Sequence, residues 1–109
     1  MWRYDPTANT LTLVVHIPIG SIFDGPDNAV ASPYGGMFLC EDGEGESYVV
    51  GVDDDGGLYG FARNALNDSE FAGACFDKTG RTMFVNMQSP GITFAITGPW
   101  TSRSRHRRA

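Results

Sequence analysis

The sequence has few of the residues that build zinc sites, membrane spans or long helices. It contains 2 cysteines and 2 histidines and no CxxC pair, which excludes a zinc site of thiolates and imidazoles. No run approaches the roughly 20 apolar residues that a membrane span needs, so no membrane partner is expected. No segment of about a dozen residues lacks glycine, proline or an Asx, Ser or Thr cluster, and this disfavours long helices.

Basic residues are scarce outside one short segment. Residues 1–100 carry 4 basic and 13 acidic side chains, a net charge of −9, because the other 4 arginines lie in residues 101–109. Such a body repels a phosphate backbone and suits cations, so no nucleic-acid partner is expected. The segment 101–109 is predicted to be a basic, disordered, solvated tail, with contact to nucleic acid or anionic lipid as the alternative.

The two cysteines and the N-terminus carry weaker signals. Cys40 and Cys75 each lie in an apolar, strand-like run, which predicts two buried free thiols, with a disulfide between them as the alternative. The start MWRYDP lacks a basic segment followed by an apolar one. The chain as written is therefore expected to carry no signal peptide.

What the sequence does contain is a succession of strands and tight turns. β-Branched and apolar runs alternate with turns rich in Gly, Pro and Asx residues, and the DDDGG segment at 53–57 is typical of a hairpin turn. The predicted strands cover residues 2–4, 10–17, 29–32, 37–40, 48–52, 58–62, 72–76, 82–87 and 93–97.

Two stretches of this pattern resemble each other. Residues 29–42 (AVASPYGGMFLCED) and 74–87 (ACFDKTGRTMFVNM) align with Gly35 and Gly80 at an offset of 45. Four short strands in a repeat of roughly 40–45 residues are typical of a β-propeller blade. The predicted fold for residues 1–100 is therefore all-β, a partial β-propeller with about two blades of four-stranded antiparallel meanders. A self-contained β-sandwich or barrel of seven to nine strands is the alternative.

Oxygen-bearing side chains recur near the ends of these strands. Asp24, Asp27 and Asn28 fall within five residues, which suits a hard cation such as calcium, or else an Asx-rich turn. Glu41 follows the strand 37–40, where it either emerges at a rim or simply ends the strand, and Glu70 precedes a strand much as Asp27 does. This recurrence favours a metal site, and the candidate ligands are Asp27, Asn28, Glu41 and Glu70.

Three other signals are weaker. Asp53, Asp54 and Asp55 also form a calcium-like run, but their position favours a hairpin turn. Arg63 could hold a phosphate, although a surface arginine at a strand end is the simpler interpretation. No serine lies in a GxSxG context, so no nucleophilic triad is indicated.

Three segments together carry a resemblance to a known family. They are FDGPDN at 23–28, LCEDG at 39–43, and the run from 61 to 100 that contains FARN, SEFAG, FVNMQSPG and FAITGPW. Over about residues 1–100 the chain resembles the C-terminal end of the bacterial PhoX-type alkaline phosphatases. The resemblance implies a six-bladed β-propeller parent with Ca²⁺ and Fe³⁺ in its central channel. It also implies hydrolysis of phosphate monoesters and a periplasmic or secreted location, reached by twin-arginine export.

The same resemblance assigns the candidate site residues and leaves two functional hypotheses. Asp27, Asn28 and Glu41 match channel-facing acidic motifs of the family, and Glu70 is a weaker match. The family's cysteine iron ligand and its arginine–glutamate phosphate site have no counterpart here, and Cys40 is not a substitute for that ligand. We therefore expect the isolated chain to be an inactive fragment of a phosphatase whose partners are the remaining blades or further copies of itself. The alternative is a non-catalytic, calcium-binding or structural propeller fragment.

Overall fold

A computed structural model describes residues 1–18, 21, 23, 26–42 and 45–100, and the regular structure of these residues is entirely β. Asp24 and the segment 101–109, both considered above, lie outside the described residues. The described part of the chain contains no helix with the length and apolar character to cross a membrane. The strands are β1 (Trp2–Asp5), β2 (Thr10–Leu13), β3 (Pro26–Ala31), β4 (Met37–Glu41), β5 (Tyr48–Val52), β6 (Leu58–Arg63), β7 (Phe71–Phe76), β8 (Thr82–Met87) and β9 (Ile92–Thr97).

The strands form three antiparallel sheets of sequence neighbours. The sheets are a hairpin of β1 and β2, a four-stranded meander of β3 to β6, and a three-stranded meander of β7 to β9. The all-β prediction is confirmed, and the nine strands divide into sheets of two, four and three. Gly35 and Gly80, which defined the repeat, occupy the turns before β4 and β8 with φ values of 99° and 74°. Glycine adopts this left-handed backbone without a steric cost, which explains its recurrence.

The acidic run at 53–55 forms the hairpin turn between β5 and β6. Val52 pairs with Leu58 across the turn. The Asp53 carboxylate accepts hydrogen bonds from the backbone N–H groups of Asp55 at 3.0 Å and Gly57 at 2.8 Å. An aspartate that satisfies the amides of its own turn favours the turn interpretation of this run.

Two strand boundaries differ from the sequence prediction by more than one residue, the end of β2 and the start of β3. β2 ends at Leu13 rather than at residue 17, because Leu13 pairs with Trp2, the first residue of β1. Beyond that point the amides of Val14 and Val15 donate to the Met1 carbonyl instead. β3 begins at Pro26 rather than at residue 29, and a bulge interrupts its pairing with β4 between Pro26 and Asn28. Residues 27 and 28 therefore belong to an irregular strand and not to the preceding turn.

The four-stranded sheet is the central layer, and apolar side chains bury both of its faces. Alternation along β4 directs Phe38 and Cys40 towards the three-stranded sheet, and Leu39 towards the segment that follows the hairpin. The first core contains Phe38, Cys40, Val49, Phe71, Ala74, Met83, Val85 and Met87. The second core contains Val15, Phe23, Leu39, Val50 and Val52.

Trp100 joins the four-stranded sheet to the three-stranded sheet. Its ring lies parallel to Tyr34 at 5.8 Å and to Phe61 at 5.7 Å. Its indole N–H donates to the Arg81 carbonyl at 2.7 Å. Tyr34 and Phe61 belong to the central layer, and Arg81 precedes β8. The Trp100 side chain therefore contacts both the four-stranded and the three-stranded sheet.

Both cysteines are free, so no disulfide links them. Cys40 is buried as predicted, but the predicted burial of Cys75 is wrong. Cys75 pairs with Phe84, and both side chains lie on the exposed face of the three-stranded sheet. A period-2 strand with one solvated face exposes alternate residues even in an apolar run.

Candidate metal centre

Three carboxylates from different parts of the chain converge at one edge of the sheets. One oxygen from each of Asp27, Asp42 and Glu70 lies within 4.8 Å of the oxygens of the other two. We call these three residues the acidic triad. Asp27 lies in the bulge of β3, Asp42 directly follows β4, and Glu70 directly precedes β7. Because β3 pairs with β4, and β7 packs against both strands, the fold brings the three segments to one place.

Packing of the next residue and a backbone hydrogen bond fix the position of Glu70 at this edge. The next residue, Phe71, is buried in the first core with an exposed fraction of 6%. The Glu70 carbonyl accepts a hydrogen bond from the backbone N–H of Gln88 at 3.0 Å. The main chain at Glu70 is therefore fixed by packing and by a hydrogen bond to the segment after β8.

The triad is electrostatically unfavourable without a cation. The pKa of Glu70 is raised, firstly by hydrogen bonding between its carboxyl group and that of Asp42 and then by burial, while the negative charges of Asp42 and Asp27 add to the increase and Gln88 opposes it. One Glu70 oxygen, Oε2, is buried and has no hydrogen-bond partner among the described residues. A carboxylate oxygen of this kind is a suitable ligand for a hard cation.

An open cleft of about 490 Å³ runs beside the triad. Two triad members and several uncharged polar side chains form its walls. The lining residues are Asp42, Asn67, Asp68, Ser69, Glu70, Gln88 and Ser89. Its acidic wall would attract cations, and it would accept an anion such as a phosphate group only alongside a bound cation.

The structure brings together two of the four candidate ligands. Asp27 and Glu70 are members of the triad. Asn28 is exposed in the same strand, opposite Cys40. Glu41 is 3% exposed, and its Oε1 accepts a hydrogen bond from the Tyr48 backbone N–H at 3.1 Å. The Glu41 side chain is thus buried at the edge of the sheet and does not emerge at a rim. Its role as a metal ligand stays a prediction, and so does that of Asn28.

Asp42, the residue next to Glu41, is not among the ligands predicted from the sequence. The strand predicted at 37–40 ends before Glu41, so Glu41 is the first carboxylate beyond that predicted strand. β4 includes Glu41, and the first residue past its end is Asp42. The LCEDG motif held the signal, but an error of one residue in a strand boundary changes which side chain reaches the edge.

Cys40 lies close to the triad but has the properties of a core residue. Burial, foremost, raises the pKa of its thiol, and the charges of Asp27 and Glu70 raise it further, while a hydrogen bond with the backbone of Ala74 opposes them. A thiol with a raised pKa stays protonated at neutral pH, whereas metal ligation needs the thiolate. That Cys40 does not replace the family's cysteine ligand stays a prediction.

The fold and the triad together define an all-β protein with a convergent acidic site. The model of the family described as alkaline phosphatase PhoX matches residues 4–91, and the chain belongs to this family. The matched range includes all three triad residues. Neither the curated proteins nor the solved structures contain a significant match to the chain.

Proposed function

We propose that this chain contributes to a metal-dependent phosphatase site in which Asp27, Asp42 and Glu70 hold a calcium ion. The observation that carries the proposal is the convergence of three carboxylates around the buried, unpartnered oxygen of Glu70. Membership of the alkaline phosphatase PhoX family supports the reaction class, hydrolysis of phosphate monoesters. Neither observation alone would connect the triad with phosphate chemistry.

The donor set of the triad fits a hard divalent cation. All three side chains offer carboxylate oxygens, which suit calcium better than they suit zinc or copper(I). The pKa of Glu70 is raised firstly by hydrogen bonding with Asp42, then by burial and by the charges of Asp42 and Asp27; a bound cation would offset these effects and supply a partner for its Oε2 atom. Iron belongs to the proposal only through the family resemblance, and Asn28 and Glu41 remain proposed further ligands.

The residues of the chain divide into those that hold the cation and those that meet the substrate. When bound, the metal supplies positive charge that neutralises phosphate oxygens and lowers the pKa of an attacking oxygen. The triad fixes where that charge lies. In the adjoining cleft, Ser69 and Gln88 provide uncharged polar groups that can hydrogen-bond the ester without adding to the negative charge. Asp68, in the same cleft, disfavours substrates whose alcohol portion is anionic.

The fold of the complete enzyme is proposed to be a six-bladed propeller to which this chain contributes about two blades. Support comes from the order of the sheets, since β3 and β7, the first strands of consecutive meanders, lie side by side. In a propeller the blades surround a central channel, and two triad residues belong to this pair of strands, Asp27 within β3 and Glu70 directly before β7. The proposed partners are the remaining blades or another copy of the chain, and the proposed location is periplasmic or secreted.

Calcium titration of the 109-residue chain tests the metal site. Calorimetry should show binding by the wild-type chain, and its thermal midpoint should rise with calcium, because a ligand at about 100 times its Kd stabilises a fold by about 2.7 kcal/mol. Glu70→Gln and Asp27→Asn should each weaken binding by about tenfold or more.

The matched control is Asp68→Asn, which removes one charge from the same cleft without touching the triad. It should change the affinity by less than about threefold, since exposed charges are largely screened. If the wild-type chain does not bind calcium, or if Asp68→Asn and Glu70→Gln weaken calcium binding equally, the proposed metal site is wrong.

A further inference from the structure

A buried asparagine organises the loop that leads to Glu70. Asn64, between β6 and β7, is only 4% exposed. Its Oδ1 accepts the backbone N–H groups of Leu66 at 2.9 Å and Asn67 at 3.2 Å. Its Nδ2 donates to Asn67 Oδ1 and to the Ser69 carbonyl, both at 2.8 Å. The Ser69 carbonyl belongs to the peptide group that joins Ser69 to Glu70, so this amide acts directly on the main chain before the triad residue.

Asn67 extends the same network to the far side of the cleft. Its Oδ1 accepts the Ser69 backbone N–H at 2.8 Å, and its Nδ2 donates to the Ser89 carbonyl at 3.0 Å. The Ser89 backbone N–H donates in turn to Ser69 Oγ at 2.8 Å. Ser69 thus forms hydrogen bonds through its N–H, its carbonyl and its hydroxyl. These bonds fix the main chain directly before Glu70.

The bonds of Asn64 act on both the loop and the residue before Glu70. Residues 65–68 are exposed, and the bonds from Leu66 and Asn67 to Asn64 Oδ1 form a turn within this loop. The other bonds end on the main chain at Ser69, directly before Glu70, whose carboxyl group lies close to those of Asp42 and Asp27. A network that fixes the main chain next to a ligand is what a preorganised cation site requires.

We propose that Asn64 and Asn67 are positioning residues that hold the Glu70 carboxylate in the acidic triad for the cation. Neither asparagine ligates the metal. Each acts through Ser69, Asn64 at its carbonyl and Asn67 at its N–H, so that Glu70 is in place before the cation arrives. This inference rests on the proposed metal site and adds to it the residues that keep Glu70 close to Asp27 and Asp42.

Terbium(III), a luminescent substitute for calcium, tests the inference in the 109-residue chain. Luminescence lifetimes in H₂O and D₂O count the water molecules on the bound ion, so the loss of a carboxylate ligand appears as additional water. Glu70→Gln serves as the reference for a lost ligand, with an expected gain of about one or two waters. Asn64→Ala and Asn67→Ala should each raise the count towards that reference and weaken terbium binding by about tenfold.

The matched control is Asn86→Ala. Asn86 also donates its amide to a main-chain carbonyl near the start of β7, that of Ala72 at 3.3 Å, but it has no bond to residues 64–70. Asn86→Ala should leave both the water count and the affinity unchanged. If Asn64→Ala does not fold, Asn67→Ala decides, because Asn67 is exposed and its replacement leaves no cavity.

The outcomes separate this inference from the proposed function. Terbium binding by the wild-type chain, with an unchanged water count in both asparagine variants, would overturn the positioning role alone, even if both variants melt at lower temperature. Absence of terbium binding by the folded wild-type chain would overturn the metal site and the positioning role together. A water count that rises in the asparagine variants but not in Asn86→Ala supports both.

Discussion

The Tyr34 hydroxyl donates a hydrogen bond of 2.6 Å to the Gly80 carbonyl and so connects the corresponding turns of two consecutive sheets. Tyr34 lies in the turn between β3 and β4, and Gly80 in the turn between β7 and β8. A Cβ atom at Gly80 would lie 3.2 Å from the Pro33 ring, so the two turns also pack closely. The resemblance between residues 29–42 and 74–87 thus has a physical counterpart in two turns that contact each other.

Removal of this hydroxyl should loosen the contact between the two sheets. Tyr34→Phe should lower the free energy of unfolding by about 1 kcal/mol, the typical net contribution of one hydrogen bond, because the Gly80 carbonyl loses its donor. Urea denaturation measures the change. Tyr4→Phe is the control, since the Tyr4 hydroxyl bonds the Asn9 side chain at 3.2 Å in an exposed position, and a loss of the same size there would contradict the prediction.

The turn at Gly36 should tolerate no side chain. Gly36 has φ of 73°, and a Cβ atom there would lie 2.0 Å from the Val52 carbonyl oxygen. Gly36→Ala should therefore destabilise the chain by more than about 2 kcal/mol, since a backbone shift adds to the cost of the left-handed conformation. Gly91→Ala isolates that conformational cost, because Gly91 has φ of 95° and open space around it. Thermal denaturation should show a larger loss of stability for Gly36→Ala than for Gly91→Ala. Equal losses of stability would refute the steric argument.

Asp77 should make the three-stranded sheet sensitive to acid. Burial acts to raise the pKa of its carboxyl group, but hydrogen bonds from Thr79 and from the amides of Thr82, Arg81 and Gly80 outweigh it, and the pKa is lowered from 3.8. A group whose pKa is lower in the folded state stabilises the fold above its unfolded pKa and loses that effect as pH falls through the folded value.

Comparison with Asp77→Asn measures this effect. The wild-type chain should be the more stable at pH 6, and the difference in free energy of unfolding should shrink as the pH falls below about 3.8. Urea denaturation across this range checks the sign. A difference that grows towards acid pH would mean that the charged form of Asp77 does not stabilise the turn.

The hairpin of β1 and β2 should cause the isolated chain to self-associate. Its pairing register sets Trp2 opposite Leu13 and Tyr4 opposite Leu11, so all four side chains share one face, and each is at least 50% exposed. An apolar ladder of this kind favours association, which removes the exposed area from water.

Sedimentation velocity at increasing concentration tests this association. The wild-type chain should form oligomers, and replacement of Trp2 and Leu11 by threonine should shift the distribution to monomer. Thr12→Ser, on the opposite face of the hairpin, is the control. A wild-type chain that stays monomeric and melts in one sharp transition would instead favour a self-contained fold.

The isolated chain should bind calcium without hydrolysing phosphate esters. The described triad contributes carboxylates only, and phosphoryl transfer needs several positive groups that converge on the transferring phosphate. An assay with an aryl phosphate, Ca²⁺ and Fe³⁺ should show no turnover above the rate without protein. Turnover that disappears in Asp27→Ala would show that this chain holds a complete active site.

Local pattern in the sequence was sufficient to predict the all-β class and the position of each strand. Runs of β-branched and apolar residues determine strands such as β5 and β8, whose predicted bounds are confirmed, because strand formation depends on side chains that pack on a pleated surface. Turn chemistry determined the hairpin at Asp53, where one carboxylate satisfies the amides of its own turn. The offset between Gly35 and Gly80 was visible because each turn needs a left-handed residue at the same place.

Tertiary structure alone decided which carboxylates come together in the acidic triad. Asp27 reaches the triad through a bulge in β3, and Asp42 replaces Glu41 there because β4 is one residue longer than its apolar run indicates. A shift of one residue reverses the direction of a strand side chain, and no local pattern specifies it. Glu70 joins them through the packing of β7 on β3 and β4 and the bonds of Asn64 and Asn67. These contacts join residues far apart in the chain, so they arise only when the sheets have packed.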